Sequence, residues 1–143
     1  MSNTATVQES NTTPATAPPK MSNSVTALTG PAALDLWRRA LVESVRRDTP
    51  DLSARQLAVL LTVFLTPPPH TVRGLAAHLD VSKPAITRAL DRLSQLGFIK
   101  RKIDPADRRN VLVQRTVKGS VYLSEFADVV SKSASDSVQH LAD

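Results

Sequence analysis

The sequence predicts a single, mainly α-helical domain that carries one small β-hairpin. Five separate segments are predicted to be helices, and in the first of them apolar residues recur at three- or four-residue steps, which is the spacing of one helix face. Two short runs, GFIKRKI and NVLVQRT, flank the polar stretch DPADRR, as two strands flank a turn. The length of 143 residues leaves room for one domain.

The N-terminal part of the chain is predicted to be an arm followed by a helix. Residues 1–30 are mainly Ser, Thr, Asn, Ala and Pro, which bury too little apolar surface to offset the entropy lost on ordering, so we predict a disordered arm. Pro31 suits the first turn of a helix. Arginines occupy one face of that helix, and its apolar stripe consists of Leu34, Trp37, Leu41 and Val45. A lone helical tryptophan is more often core or interface than part of a ligand pocket.

Three further helices are predicted, each preceded by a residue that can cap a helix N-terminus. Ser53 precedes ARQLAVLLTVFLT, which is apolar nearly all round and is therefore expected to be buried. Thr71 precedes the short VRGLAAHLD, and Ser82 precedes KPAITRALDRLSQL, which Gly97 is placed to end. The residues expected to face inward in the last two helices are Leu75, Ala76, Leu79, Ile86, Leu90 and Leu93.

The hairpin is followed by one more predicted helix. Thr116 can cap this helix, whose clearest apolar positions are Val121, Phe126 and Val129. The predicted order is therefore four helices, two strands and a final helix.

Positive charge is concentrated in the middle of the chain. The net charge of the whole sequence is +5. Residues 71–115 alone hold ten Lys or Arg against four Asp, whereas the charges of the other segments nearly cancel. This distribution favours a polyanionic partner, and a charged face that only keeps the protein soluble is the alternative.

The third and fourth predicted helices, joined by the short link DVS, form a helix-turn-helix. In that motif the N-terminal end of the second helix enters the major groove of DNA. Pro84, Thr87 and Arg88 are suited to base edges, and Lys83 and Arg92 to phosphates. An ordinary helical hairpin with a charged surface is the alternative. The candidate contacts on these helices are Arg73, Ser82, Lys83, Pro84, Thr87, Arg88 and Arg92.

A basic hairpin directly after a helix-turn-helix is the order of a winged helix. Its tip is thin enough for the minor groove, where an inserted arginine senses groove width and negative potential. Asp104 followed by Pro105 favours a type I turn at the tip. The candidate contacts of the wing are Lys100, Lys102, Arg108 and Arg109, and Arg101 lies between the two lysines.

The run GLAAHLDVSKPAITRALDRLSQLGFIKRKIDPADRRNVLVQRTVKG resembles the DNA-binding half of the MarR-type (multiple antibiotic resistance regulator) transcription factors. The matching pieces are LAAHLDVS, LSQLGFIKR, the wing DPADRR and the T-x-x-G of Thr116 to Gly119. The resemblance covers residues 53–119 and extends loosely to the flanking helices. It implies that Arg109 enters the minor groove and that Asp107 is its partner within the wing. We expect Asp107 to fix the Arg109 guanidinium before DNA arrives, with Asp104 shaping the turn.

The same resemblance implies a homodimer on a pseudo-palindromic operator. Family members are usually repressors released by a small phenolic or lipophilic ligand, and a cytoplasmic protein associated with the bacterial nucleoid is expected. Residues 31–50 and 117–143 would then form the dimerisation helices, and residues 51–116 the DNA-binding domain. Family members usually have two C-terminal helices, whereas the sequence after Thr116 is long enough for one.

No catalytic, metal or cofactor site is predicted. His70, His78 and His140 are far apart in the sequence, and the chain has no Cys. No nucleophile–base pair, Gly-rich phosphate loop or secretory signal is visible, and no apolar run approaches the roughly 18 residues that span a membrane. We therefore expect a soluble binding protein. Two other classes remain open: an architectural or replication-associated winged helix with little sequence preference, and a winged helix used for protein contacts.

Overall fold

The computed structural model describes residues 28–142, which contain five helices and a small antiparallel sheet. The predicted fold class, mainly α with a β-hairpin wing, is confirmed. The predicted arm lies outside the described residues except for residues 28–30, and of these Gly30 already belongs to the first helix. In chain order the elements are α1 (Gly30–Arg46), α2 (Ala54–Leu65), β1 (His70–Thr71), α3 (Val72–Leu79), α4 (Lys83–Gln95), β2 (Ile99–Ile103), β3 (Val111–Arg115) and α5 (Val117–Ala142).

The helices α2 and α3 begin at the predicted capping residues. The Ser53 hydroxyl accepts the Gln56 N–H at 3.2 Å, and the Gln56 side chain accepts the Ser53 N–H at 3.0 Å, which completes a capping box. The Thr71 hydroxyl accepts the Gly74 N–H at 2.9 Å. These side chains satisfy amide groups that have no partner inside the helix.

The helix α4 ends at a glycine, as predicted. Gly97 has a φ of 77°, in the left-handed region that favours glycine. The Gly97 N–H donates to the Ser94 carbonyl and the Phe98 N–H to the Leu93 carbonyl, both at 2.9 Å, as in a Schellman motif. This motif turns the chain directly into β2.

The core lies between α2, α3, α4 and the sheet. It takes buried side chains from all three helices, and every predicted inward residue of α4 is fully buried. Leu79 of α3 is half-buried and packs on the edge of this core. The core residues are Val59, Leu60, Val63, Leu75, Ala76, Ile86, Ala89, Leu90, Leu93, Phe98, Ile99 and Val113.

The sheet has a third strand that the sequence did not predict. The strand order is β1-β3-β2, and His70 and Thr71 of β1 lie opposite Val113 and Leu112. Two residues are too few to show an alternating pattern, and Thr71 also serves as the cap of α3. The hairpin therefore has a short third strand along β3.

Arg115 joins β3 to the end of α2. Its Nε donates to the Val63 carbonyl at 2.8 Å and its Nη2 to the Thr66 carbonyl at 2.9 Å. The last turn of α2 contains no basic residue of its own, so a cation from the sheet meets the carbonyl groups that the helix leaves without partners.

The apolar stripe of α1 faces solvent. The exposed fractions of Leu34, Trp37, Leu41 and Val45 are 73, 48, 45 and 75%. The helix packs against α5, and the residues it buries are Ala32 and Ala40. The large apolar side chains therefore lie outside the contact between the two helices.

The burial of α5 differs from the sequence prediction. Val129 is buried and Phe126 is half-buried, but Val121 is 52% exposed. Ser133 and Ser137 are buried instead. Because these side chains are as small as the alanines of α1, the two helices pack closely through positions that an apolar pattern does not reveal.

The beginning of α5 is held against the end of α4. The Thr116 hydroxyl donates to the Gly97 carbonyl at 2.7 Å and accepts the Gly119 N–H at 3.0 Å. Gly119 is buried, and a Cβ on it would overlap the Phe98 carbonyl oxygen and lie 2.8 Å from Cζ of Phe64. The T-x-x-G pattern therefore has a physical cause: one hydroxyl bridges two elements, and the glycine allows them to touch.

Candidate nucleic-acid interface

The turn between α3 and α4 is fixed by backbone hydrogen bonds. Asp80 has a φ of 53°, and its N–H donates to the Ala77 carbonyl at 3.3 Å, while the Val81 N–H donates to the Ala76 carbonyl at 3.0 Å. The Ser82 hydroxyl then accepts the Ala85 N–H at 3.2 Å. Because one helix ends and the next begins within three residues, the relative direction of α3 and α4 is well defined.

The candidate contacts of α4 lie on its solvent face. Ile86, Leu90 and Leu93 point into the core, and the remaining face is polar. The hydroxyl of Ser82, also a candidate contact, acts in the N-cap. Arg73 is exposed on α3. The exposed candidate residues of α4 are Lys83, Pro84, Thr87, Arg88 and Arg92.

The tip of the wing is an ordered turn. The Asp104 carboxylate accepts the Ala106 N–H at 2.9 Å, and the Asp104 N–H donates to the Asn110 carbonyl at 2.9 Å. Oδ1 of Asp107 accepts both the backbone N–H of Arg109, at 3.1 Å, and its Nε–H, at 3.2 Å. The Arg109 side chain is 88% exposed, so its guanidinium projects from the tip while the carboxylate holds its base.

The strand β2 carries cations on both faces. Lys100 lies opposite Gln114 and Lys102 opposite Leu112, whereas Arg101 lies opposite the buried Val113. Because successive strand residues point to opposite faces, the two lysines and Arg101 lie on different sides of the sheet. Nη1 of Arg101 contacts Oδ1 of Asp91 on α4 at 2.7 Å.

Arg101 is not among the contacts that the sequence predicts for the wing. It lies in the same basic run as Lys100 and Lys102. Strand alternation separates it from the lysines, but only the position of α4 gives it a partner.

Each acid of α4 and of the wing has a polar partner. Asp91 contacts Arg101, Asp107 contacts Arg109, and Asp104 accepts a backbone N–H. Among the described residues, the other cations of the surface have no carboxylate within 4 Å; these are Arg73, Lys83, Arg88, Arg92, Lys100, Lys102 and Arg108. The acids therefore shape the surface, and it keeps an excess of positive charge.

Within the described part of the chain, no group of three or more His, Cys, Asp or Glu side chains is placed to hold a metal ion. None of its helices is both long enough and apolar enough to cross a membrane.

These elements define a winged helix-turn-helix: α3 and α4 form the helix-turn-helix, and β2 and β3 form the wing. Residues 52–111 match the MarR family model. This match confirms the resemblance to the MarR-type factors that the motifs of the segment indicated.

Solved structures of the same type align with most of the chain. The crystal structure of MarR is 27% identical over 70% of this chain and 67% of that chain, with a TM-score of 0.53. CouR, a transcriptional repressor solved with a 23-mer DNA duplex, is 27% identical over 77% and 75%, with a TM-score of 0.60. Reduced AbfR, solved bound to DNA, is 26% identical over 68% of this chain and 63% of that chain, with a TM-score of 0.55.

Proposed function

We propose that this protein is a transcriptional repressor that binds double-stranded DNA sequence-specifically as a homodimer. The observation that carries the proposal is the shared surface of α4 and the wing, where each acid has a polar partner and six cations have no acidic partner within 4 Å among the described residues. CouR and AbfR, which have the same fold, were solved with DNA. Chromosomal DNA in the bacterial cytoplasm is the proposed target.

The proposed roles follow from position. Pro84, Thr87 and Arg88 read base edges in the major groove, and Arg109 enters the minor groove. Asp107 and Asp104 orient the wing tip. Ser82 caps α4 and presents the helix N-terminus to a phosphate, and the remaining proposed phosphate contacts and supporting charges are Arg73, Lys83, Arg92, Lys100, Lys102 and Arg108.

The proposed dimer interface is the exposed stripe of α1. Monomers rarely leave such a contiguous apolar surface exposed. In a two-fold symmetric dimer, the stripe of one protomer would be covered by the same stripe of its partner. Two copies also present two α4 helices, which suits a pseudo-palindromic operator. In this proposal α1 and α5 are the dimerisation helices and residues 51–116 bind DNA.

A small-molecule effector has a candidate site between α1 and α5. The groove there has a volume of about 410 Å³ and is lined by five cationic and three acidic side chains, with Val42 and Val129. This lining favours a polar, charged effector over the lipophilic ligands that the family resemblance implies.

Genome-wide footprinting of the purified protein tests the proposed function. We expect protected sites with two half-sites about one helical turn, or a multiple of it, apart. Protection without any preferred sequence would indicate an architectural protein. If the protein retards no genomic DNA even at low salt, a protein-contact role replaces the proposal.

Arg88→Ala is expected to cost about 1–3 kcal/mol of binding free energy and to relax base preference at one position of each half-site. The reason is the loss of a bidentate donor to a base edge. The measurement is a titration against the operator and against duplexes substituted at each position. The matched control is Arg46→Ala, since Arg46 is also exposed but lies on α1. Equal losses on operator and scrambled duplexes would make Arg88 a phosphate contact.

Asp107→Asn is expected to weaken operator binding by about two- to tenfold, because an unrestrained Arg109 loses more side-chain entropy on binding. Removing an acid near phosphates would by itself tighten binding. Loss of preorganisation and loss of repulsion therefore predict opposite changes in operator affinity. The affinity should be measured at several salt concentrations, with Asp128→Asn on α5 as the control. Binding as tight as that of the native protein would show that Asp107 does not preorganise Arg109.

A further inference from the structure

Asp91 places a carboxylate on the solvent face of the recognition helix. It lies one turn beyond Thr87 and Arg88 and is itself exposed. On a surface that binds phosphates, a free carboxylate would oppose the partner. Its contact with Nη1 of Arg101, at 2.7 Å, offsets that charge and spans two elements.

The contact is made partway along the wing. The strand β2 is anchored at its start by the buried Ile99 and by the buried Phe98 just before it. After Arg101 the strand continues through Lys102 and Ile103, both exposed, to the tip. Among the described residues, Asp91–Arg101 is the ion pair that joins α4 to the wing. It therefore restrains the strand between its buried root and its exposed end.

We infer that Asp91 and Arg101 are positioning residues that fix the direction of the wing relative to the recognition helix. The pair sets the separation between α4 in the major groove and Arg109 in the minor groove, so that both contacts form on one face of the duplex. This inference rests on the proposed function, because it concerns how the two DNA-contacting elements act together.

The first test is a set of binding titrations. Arg101→Met keeps the aliphatic stem and removes the donor, and Asp91→Asn removes the charge of the acceptor. Each is expected to lower the ratio of operator to scrambled-duplex affinity by about tenfold. The double variant D91R/R101D, which reverses the pair, is expected to restore most of that ratio. Thermal stability should change little, since a partly exposed ion pair contributes little to it.

A thermodynamic cycle with the wing tip separates positioning from direct contact. If Arg101 acted only by contacting DNA, the losses of binding free energy caused by Arg101→Met and by Arg109→Ala would be additive. If it positions the tip, Arg109→Ala should cost at least threefold less affinity in the Arg101→Met background than in the native protein. Additive effects, or failure of the reversed pair to restore the ratio, overturn the inference.

The second test needs no DNA. The chain has no Cys, so spin labels can be placed at Ala54→Cys on α2 and Ala106→Cys at the wing tip, both exposed. Labelled protein is diluted with unlabelled protein so that a dimer carries one labelled chain. The distance distribution should broaden in Arg101→Met and narrow again in D91R/R101D; an unchanged distribution overturns the inference. A native protein that retards no duplex contradicts the proposed function, whereas these distances still decide whether the pair orients the wing.

Discussion

Leu34→Asp is expected to raise the dissociation constant of the proposed dimer by at least about 100-fold and to abolish operator binding at concentrations where the native protein binds. Burial of a leucine side chain contributes about 1.5–3 kcal/mol, and a two-fold interface contains the position twice. The substitution also brings two carboxylates into an apolar contact, where desolvation opposes them. A monomer reaches only one half-site, so the loss of operator affinity follows from the loss of the dimer.

The chain offers a closely matched control. Leu65, at the end of α2, is 75% exposed and Leu34 is 73% exposed, so Leu65→Asp makes the same chemical change at the same exposure. Sedimentation equilibrium and operator titration should be measured for both variants, with circular dichroism to verify folding. If Leu34→Asp remains dimeric at the concentration where the native protein is dimeric, the stripe of α1 is not the interface.

Gly119→Ala is expected to lower the free energy of unfolding by about 2–4 kcal/mol. In the interior of a helix, replacing glycine by alanine ordinarily raises the free energy of unfolding by about 1 kcal/mol. The decrease expected here is therefore opposite to the change that helix propensity alone predicts. The added Cβ would overlap the Phe98 carbonyl oxygen, and this backbone cannot easily move because the Phe98 N–H is bonded to Leu93. Cζ of Phe64 also lies close, 2.8 Å from the added atom.

Urea unfolding of Gly119→Ala and Gly30→Ala would check this expectation. A Cβ at Gly30 has no neighbour within 4 Å, so that variant should be neutral or slightly stabilised. Both variants replace a helical glycine by alanine, but only Gly119→Ala brings the added Cβ against other atoms, so the difference between them measures the cost of the steric overlap. A Gly119→Ala variant as stable as the native protein would mean that α5 can shift away from Phe98 at little cost.

The parts of the fold that the sequence predicted are those with a local cause. Ser53, Thr71 and Gly97 act on amide or carbonyl groups a few residues away, so their effect is readable from spacing alone. The stripe of α4 was also readable, because it is buried within its own domain. The wing followed from two apolar runs on either side of a polar turn.

The parts that the sequence did not predict depend on neighbours distant in the chain. The two residues of β1 form a strand only because β3 lies beside them. Periodicity identified the stripe of α1 but not what covers it, and Ser133 and Ser137 are buried although their polar side chains gave no sign of it. Strand alternation separates Arg101 from its basic neighbours, but its partner Asp91 follows only from the position of α4 beside the wing.

The last turn of α2 and the end of β3 share one guanidinium. Because Arg115 bonds the carbonyls of Val63 and Thr66, the end of α2 cannot fray without releasing charged hydrogen bonds made by the sheet. The ordinary weak point of a helix, its terminus, is thereby joined to an element about fifty residues further along the chain. Amide protons there should exchange with solvent together with those of β3, as one cooperative unit that includes the root of the wing.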